Sequence, residues 1–474
     1  MRRRLEVDEP APDVLAEDFA RIRAQFGVTV EFTPELEREA KEAARRPLPA
    51  DGRVDMRDVE FFTVDPPRSM DLDQAMHLSQ TPDGYRVRYA IADIGHFVDR
   101  GSPLEQEAWR RGLTAYSPDR RALLYPAALS EGAASLLPGV DRPAVVFTID
   151  LDGDGRRAAA QVEPALVRSR QRFDYAGLHR SGHRLLEMIG RLREHRERER
   201  GGVRLPGARQ AVRRDRHHPA GYHLVWEKRV ASEDWNAQIS LLAGFAAAAV
   251  MLEHRTGLLR TMAGIDEYRL AALRRTAAAL HVEWPAGTSY ADFVRGLDPG
   301  RPHEAALVEE AHGVMGHAGF TAFAGAPPAN PTHAALASPY AQCTAPMRRL
   351  SDRYVLDLLC DQCAGRQPAA EAVDALVRLP AVVEQAETRN DQLALAIVDD
   401  VEARFLEHRI GEEFTAMVVD VDNRGARVQL ADPPVRARMR EHPMPPLGEP
   451  VCVRLQAADP SARSLQFVHC SVET

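Results

Sequence analysis

The sequence predicts an α/β chain of mixed sheets with flanking helices, followed by a small all-β barrel. Three observations lead there: a hydrophobic period of two from about Asp51, helical spacing through most of the middle, and short alternating segments from Gly411 to the end. With 474 residues, 45% of them apolar and 27% charged, the chain has enough apolar material for a large core. That excludes a disordered chain or a disulfide miniprotein.

Residues 13–26 set Leu15, Phe19, Ile22 and Phe26 at helical spacing, and Gly27 supplies the stop. A second helix starts at Thr33 as N-cap with Pro34 in its first turn and ends before Pro47. In YRVRYAIADI, Tyr85, Val87, Tyr89 and Ile91 face one way and Arg86, Arg88, Ala90 and Ala92 the other, the mark of a strand. The strand AVVFTIDL runs into Asp152-Gly153-Asp154-Gly155 and back into AAAQVEPALV, a β-hairpin. Asp150 to Gly155 imitates a calcium loop, but its twelfth position is Gln161 rather than glutamate. From about Phe173 to His408 the pattern is mostly helical. The apolar run Ile239 to Leu252 falls short of the roughly 18 to 20 residues that span a bilayer and reads as a core helix. The charge run 191–200 reads as a solvated helix face, and Cys360 and Cys363, with no second ligand pair, as two helix thiols. The expected units are an N-terminal helical region over 1–50, a main domain over 51–408 and a C-terminal barrel over 409–474.

The net charge of −8 excludes holding a polyanion by bulk positive charge, so any nucleic-acid contact is local. All but two of the 61 basic residues (Lys41 and Lys228) are arginine, which points to base composition rather than function. Five cysteines, an odd count, form no secreted disulfide framework. The start, MRRRLEVDEPAPD, lacks the apolar segment of a secretion signal. A cytoplasmic protein with no membrane partner is expected.

The segment from Thr63 to Gln74 carries Asp65, Asp71 and Asp73, with only Arg68 to offset them. Asp71 and Asp73, two apart, share a face in extended backbone, and Pro66-Pro67 can fold Asp65 back beside them. Carboxylates about 4 Å apart repel by roughly 4 kcal/mol at an effective dielectric near 20. Such a cluster calls for a divalent cation, and all-oxygen ligation favours magnesium or manganese.

Thr63-Val64-Asp65 and Asp71-Leu72-Asp73 resemble the first signature of the RNB ribonuclease family, which includes ribonuclease II and ribonuclease R. The likeness continues in order through ADIGHFVDRGSPLEQEAWRRGLTAYSPDRR (92–121), YPAALSEGAASLLPGVDRPAV (125–145) and PYAQCTAPMRRLSDRYV (339–355). It implies a processive 3′ to 5′ exoribonuclease that degrades single-stranded RNA to nucleoside 5′-monophosphates by hydrolysis dependent on Mg2+ or Mn2+. The RNA would enter a narrow channel by its 3′ end. Asp65, Asp71 and Asp73 correspond to the metal cage, with Asp73 also catalytic, and Gln74 stands where the family has a fourth aspartate. Arg348 corresponds to the arginine at the scissile phosphate, with Arg349 beside it on the RNA. Tyr116 corresponds to a tyrosine that stacks on a base near the 3′ end. Asp93 and His96 lie in a matched strand and are read as structural. Where the family has paired glutamates this chain reads Trp235-Asn236-Ala237-Gln238, so Asn236 or Gln238 is expected at the terminal ribose.

The C-terminal unit sits where the family keeps an RNA-binding OB-fold barrel. Its Arg424 and Arg427, with Phe414 and Phe467 as its aromatics, suggest phosphate contact rather than base stacking. Residues 1–50 cannot hold the two cold-shock barrels usual in the family. A monomer is expected. The competing expectation is a catalytically impaired RNA-binding pseudoenzyme, its turnover lost through Gln74.

Overall fold

A computed structural model describes residues 5–7, 13–49, 51–67, 69–181, 183–206, 208–214, 222–228, 230–422, 425–439 and 444–470. Arg68 and Arg424 lie outside the described residues.

The centre of the fold is a closed five-stranded barrel of Val54–Val64, Gln74–Thr81, Gly84–Ala92, Asp141–Asp152 and Arg157–Phe173. The last of these strands closes it, pairing antiparallel with Asp141–Asp152 and parallel with Val54–Val64. The hairpin turn at Asp152 is secured by its own carboxylate, whose Oδ1 accepts from the backbone N–H of Asp154 at 3.0 Å and of Arg156 at 2.8 Å. In Gly84–Ala92 the expected alternation fails toward the end of the strand. Val87, Tyr89 and Ile91 are buried, but so are Ala90 and Ala92, because their outer face is covered as well.

The helix Ala231–Glu253 is long and apolar enough to cross a membrane by composition alone. It lies against the barrel, with Ile239, Leu242, Ala243, Ala246, Ala247 and Met251 buried in one core with the barrel strands. The middle of the chain is less helical than its pattern implies. Ala208–Arg214 and Tyr222–Lys228 form a hairpin joined by Leu5–Val7, and Thr256–Met262 pairs with Ala318–Ala324. Ala- and Arg-rich strands carry little period-two signal, so their partners rather than their residues define them.

A second closed barrel is built of Glu413–Asp422, Gly425–Leu430, Arg436–Met439, Pro450–Asp459 and Ser464–His469. Phe414 and Phe467 meet edge to face inside it, ring centroids 5.9 Å apart, and are buried. Neither ring is open to a base. The N-terminal helices Asp13–Gln25 and Pro34–Ala43 are not a separate unit. Leu15, Phe19 and Ile22 pack with Ile397, Val401 and Phe405 of the long helix Ala370–Leu406 and with the second barrel, while Leu36 and Ala40 join the main core.

Candidate active site

Asp65 directly follows the strand Val54–Val64, and its N–H donates to the carbonyl of Phe173, the last residue of the closing strand, at 3.1 Å. The connection from Asp65 to Gln74 is pinned from the side. Ser135 Oγ accepts from Leu72 N–H at 3.0 Å and donates to the Met70 carbonyl at 2.6 Å, and Leu136 N–H donates to the Leu72 carbonyl. Asp65, Asp71 and Asp73 are 8%, 6% and 0% exposed, and the charges of Asp71 and Asp73 bear on Asp65, so the three carboxylates lie together away from bulk water.

Two arginines face them. Asp73 accepts from Arg348 Nε at 2.6 Å through Oδ2 and from Met347 N–H at 2.9 Å through Oδ1. Asp71 Oδ1 accepts from Arg121 at 2.6 Å, and Arg121 also donates to Glu131 at 2.7 Å. Asp65 Oδ2 is buried with no hydrogen-bond partner, as is Thr63 Oγ1. Burial pushes the Asp65 carboxyl up to about 7 against the pull of Arg348, with Asp73 and Asp71 raising it further. Burial likewise pushes Asp73 up to about 6, opposed by Arg348 and the Met347 N–H. Three buried acids, one with an orphaned oxygen, lie close together, paired with Arg348 and Arg121 and reached by the charge of Arg172. This donor set fits a hard divalent cation.

Gln74 enters the next strand, and its side-chain amide nitrogen donates to the carbonyl of Thr344. It ties the loop that carries Arg348 to the barrel through that nitrogen, and Oε1, the atom expected to ligate, takes no part in this bond. Arg349 also departs from expectation. Its Nε and Nη2 donate to Oδ2 of the fully buried Asp352 at 2.9 and 2.6 Å, and the same oxygen accepts from Ala345 N–H. Arg349 therefore braces the loop, while Arg348 reaches the acids.

Tyr116 is 44% exposed, and its hydroxyl end lies among Arg348, Asp71 and Asp73, where desolvation chiefly raises its pKa. The ring stays open while the hydroxyl is held. Asn236 hydrogen-bonds Tyr175, which neighbours Asp65. Gln238 is fully buried instead, its amide donating to Glu197 at 2.6 Å, so it offers nothing to a ribose. Two positions apart, about 200° around the helix, these neighbours leave it on nearly opposite faces. Asp93 pairs with Arg53 and is structural.

Sequence reasoning missed Arg121, Ser135 and Asp352. Arg121 had a usable signal, since it ends a matched motif, but its partner lies 50 positions away.

The model of the RNB domain matches residues 53–363, and that of the RNase II-type exonuclease C-terminal S1 domain matches 412–469. Ribonuclease R of Aquifex aeolicus is 27% identical over 407 residues, 80% of this chain and 56% of that protein. Ribonuclease R of Thermotoga maritima is 36% identical over 148 residues, 31% of this chain and 21% of that protein. The chain thus spans about half, or less, of the length of these curated relatives. Among solved structures, Mycoplasma genitalium RNase R in complex with ribose methylated single-stranded RNA aligns with a TM-score of 0.84 at 19% identity, covering 97% of this chain and 78% of that one. Yeast Ssd1, a pseudonuclease, aligns at 0.69 and 15% identity, covering 94% and 57%. Both likenesses are of fold.

Proposed function

This chain belongs to the RNB domain family, and from that premise we propose that it is a 3′ to 5′ exoribonuclease acting on single-stranded RNA and releasing nucleoside 5′-monophosphates. The observation that carries the reading is the meeting of Asp65, Asp71 and Asp73 with Arg348 in one buried cluster. Ribonuclease R is the name of the relatives that match in sequence, and an RNA complex is among the similar structures.

Asp65, Asp71 and Asp73 would hold a divalent cation, magnesium or manganese, which when bound polarises a phosphoryl oxygen and lowers the pKa of water. Asp73 anchors Arg348. Held by that carboxylate, and with its own N–H donating to the Ala345 carbonyl, Arg348 has its guanidinium preorganised to stabilise charge developing on the scissile phosphate. Tyr116 offers an open ring face to a base near the 3′ end, which is sequence-tolerant recognition. Asn236, beside Tyr175, is the remaining candidate for the terminal ribose. Arg427, which is exposed, would add phosphate contact from the second barrel.

A second reading, an RNA-binding pseudoenzyme, draws on one observation: both oxygens of Asp73 are already engaged by protein donors. The variant Asp73→Asn separates the two. In the exoribonuclease it abolishes metal-dependent release of mononucleotides while RNA still binds; in the pseudoenzyme the parent protein releases none.

A further inference from the structure

At the end of the first barrel away from the acids lies a cavity of about 550 Å3, within the size range of small-molecule sites. Register separates the two places. Gln74, next to Asp73, pairs with Ile91, whereas Gly84 at the other end of that strand pairs with Asp152, at the turn that carries Arg156 and Arg157. From Gly84 to Ile91, at about 3.3 Å per residue, the distance is roughly 23 Å.

Arg156, Arg157, Arg193, Arg196 and Arg200 line the cavity against a single carboxylate, Glu199. Arg196 is committed to Glu199 and to Asp154. The others make no ion pair among the described residues, and Arg157 gives Nη1 to the Phe245 carbonyl at 3.2 Å. Arg193, 6% exposed, gives Nη1 to the Gly155 carbonyl at 2.8 Å and keeps a buried Nε with no partner. Arg200 gives Nε to the Leu336 carbonyl at 2.8 Å and keeps a buried Nη2 with no partner. The nearby Glu197 is held by Arg204 and Gln238. Burial, then the charges of Arg200, Arg157 and Arg196, pull the pKa of Arg193 down to about 10. The charge run 191–200 is therefore not only a solvated face, because one side of it is turned inward.

Five guanidiniums against one carboxylate around a cavity suit a phosphate, which accepts several charge-assisted hydrogen bonds at once. Most of the rest of the lining is apolar, formed by Leu242, Phe245, Ala249 and Leu252 of the helix Ala231–Glu253, and the Phe245 ring carries the guanidiniums of Arg200 at 4.8 Å and Arg193 at 5.8 Å. Several arginines beside apolar side chains and one aromatic ring, in a cavity of this volume, match one nucleotide. We propose that this cavity binds a free nucleoside phosphate at a site distinct from the acidic cluster. The proposal does not rest on the ribonuclease reading.

The test is calorimetric titration of the whole protein in EDTA with ATP, AMP, inorganic phosphate and a single-stranded RNA. One nucleotide per chain is expected, with inorganic phosphate at least tenfold weaker. Arg200→Gln and the exposed Arg157→Gln should each weaken the nucleotide at least tenfold, whereas Asp73→Asn should leave it within twofold. The second arginine variant guards against misfolding of the first. No nucleotide binding, binding indifferent to both arginine variants, or inorganic phosphate binding as tightly as nucleotide would overturn the proposal. So would RNA that displaces the nucleotide and binds more weakly to Arg157→Gln, since the cavity would then lie on the path of the polymer.

Discussion

Arg348 and Asp73, 275 positions apart in the chain, meet at 2.6 Å from Nε to Oδ2. This pair joins the barrel to the loop before the helix Leu350–Cys363. Replacing Arg348 by Gln should lower kcat by about 10² to 10³ with little change in KM, as expected for a donor that acts on developing charge. Steady-state kinetics on a short RNA measure this. A variant that raises KM alone would make Arg348 a plain binding residue.

Gln74 supports that loop from below through the Thr344 carbonyl. Gln74→Leu leaves the carbonyl of the buried Thr344 without its donor and should cost about 1 to 3 kcal/mol in urea unfolding. Gln74→Asp should not rescue it, because the shorter carboxylate has no donor for the carbonyl. If Gln74→Asp instead tightened magnesium binding at unchanged stability, the side chain would be a cation ligand after all.

Tyr116 presents an open ring beside the cluster. Tyr116→Ala should weaken single-stranded RNA by about 1 to 3 kcal/mol, roughly 5- to 150-fold in Kd, and alter the length at which degradation stops. Tyr116→Phe should bind as the parent does. Equal losses in both variants would point to the hydroxyl rather than the ring.

Glu310, on the helix Pro302–Ala311, is pushed up to about 7, chiefly by burial and then by Asp420 of the second barrel, with Thr276 opposing. An acid raised on folding binds its proton more tightly when folded. Its contribution is complete below the ordinary value of 4.5 and is lost as pH rises toward 7. Glu310→Gln should therefore gain stability relative to the parent between those values, by on the order of 1 to 3 kcal/mol. Urea midpoints measured across that range decide it, and a constant difference between the two proteins would contradict the assignment.

What the sequence made legible was local or carried by motif: the hairpin at Asp152, the N-cap at Thr33, the second barrel, and the acids with Arg348. What it hid depends on distant partners. Arg348 and Arg349 are adjacent and alike in sequence, yet one meets Asp73 and the other Asp352. Asn236 and Gln238 diverge because the helix turns between them, carrying one toward Tyr175 and the other toward Glu197. The weak strands Ala208–Arg214 and Thr256–Met262 have no period of their own to display.

The most direct test of the account is to incubate the protein with 5′-labelled single-stranded RNA in magnesium, manganese or EDTA and to resolve both the labelled intermediates and the released mononucleotides. A metal-dependent ladder shortening from the 3′ end, with nucleoside 5′-monophosphates as product, is the expected result. RNA left intact under every condition while still bound would contradict it and leave an RNA-binding pseudoenzyme.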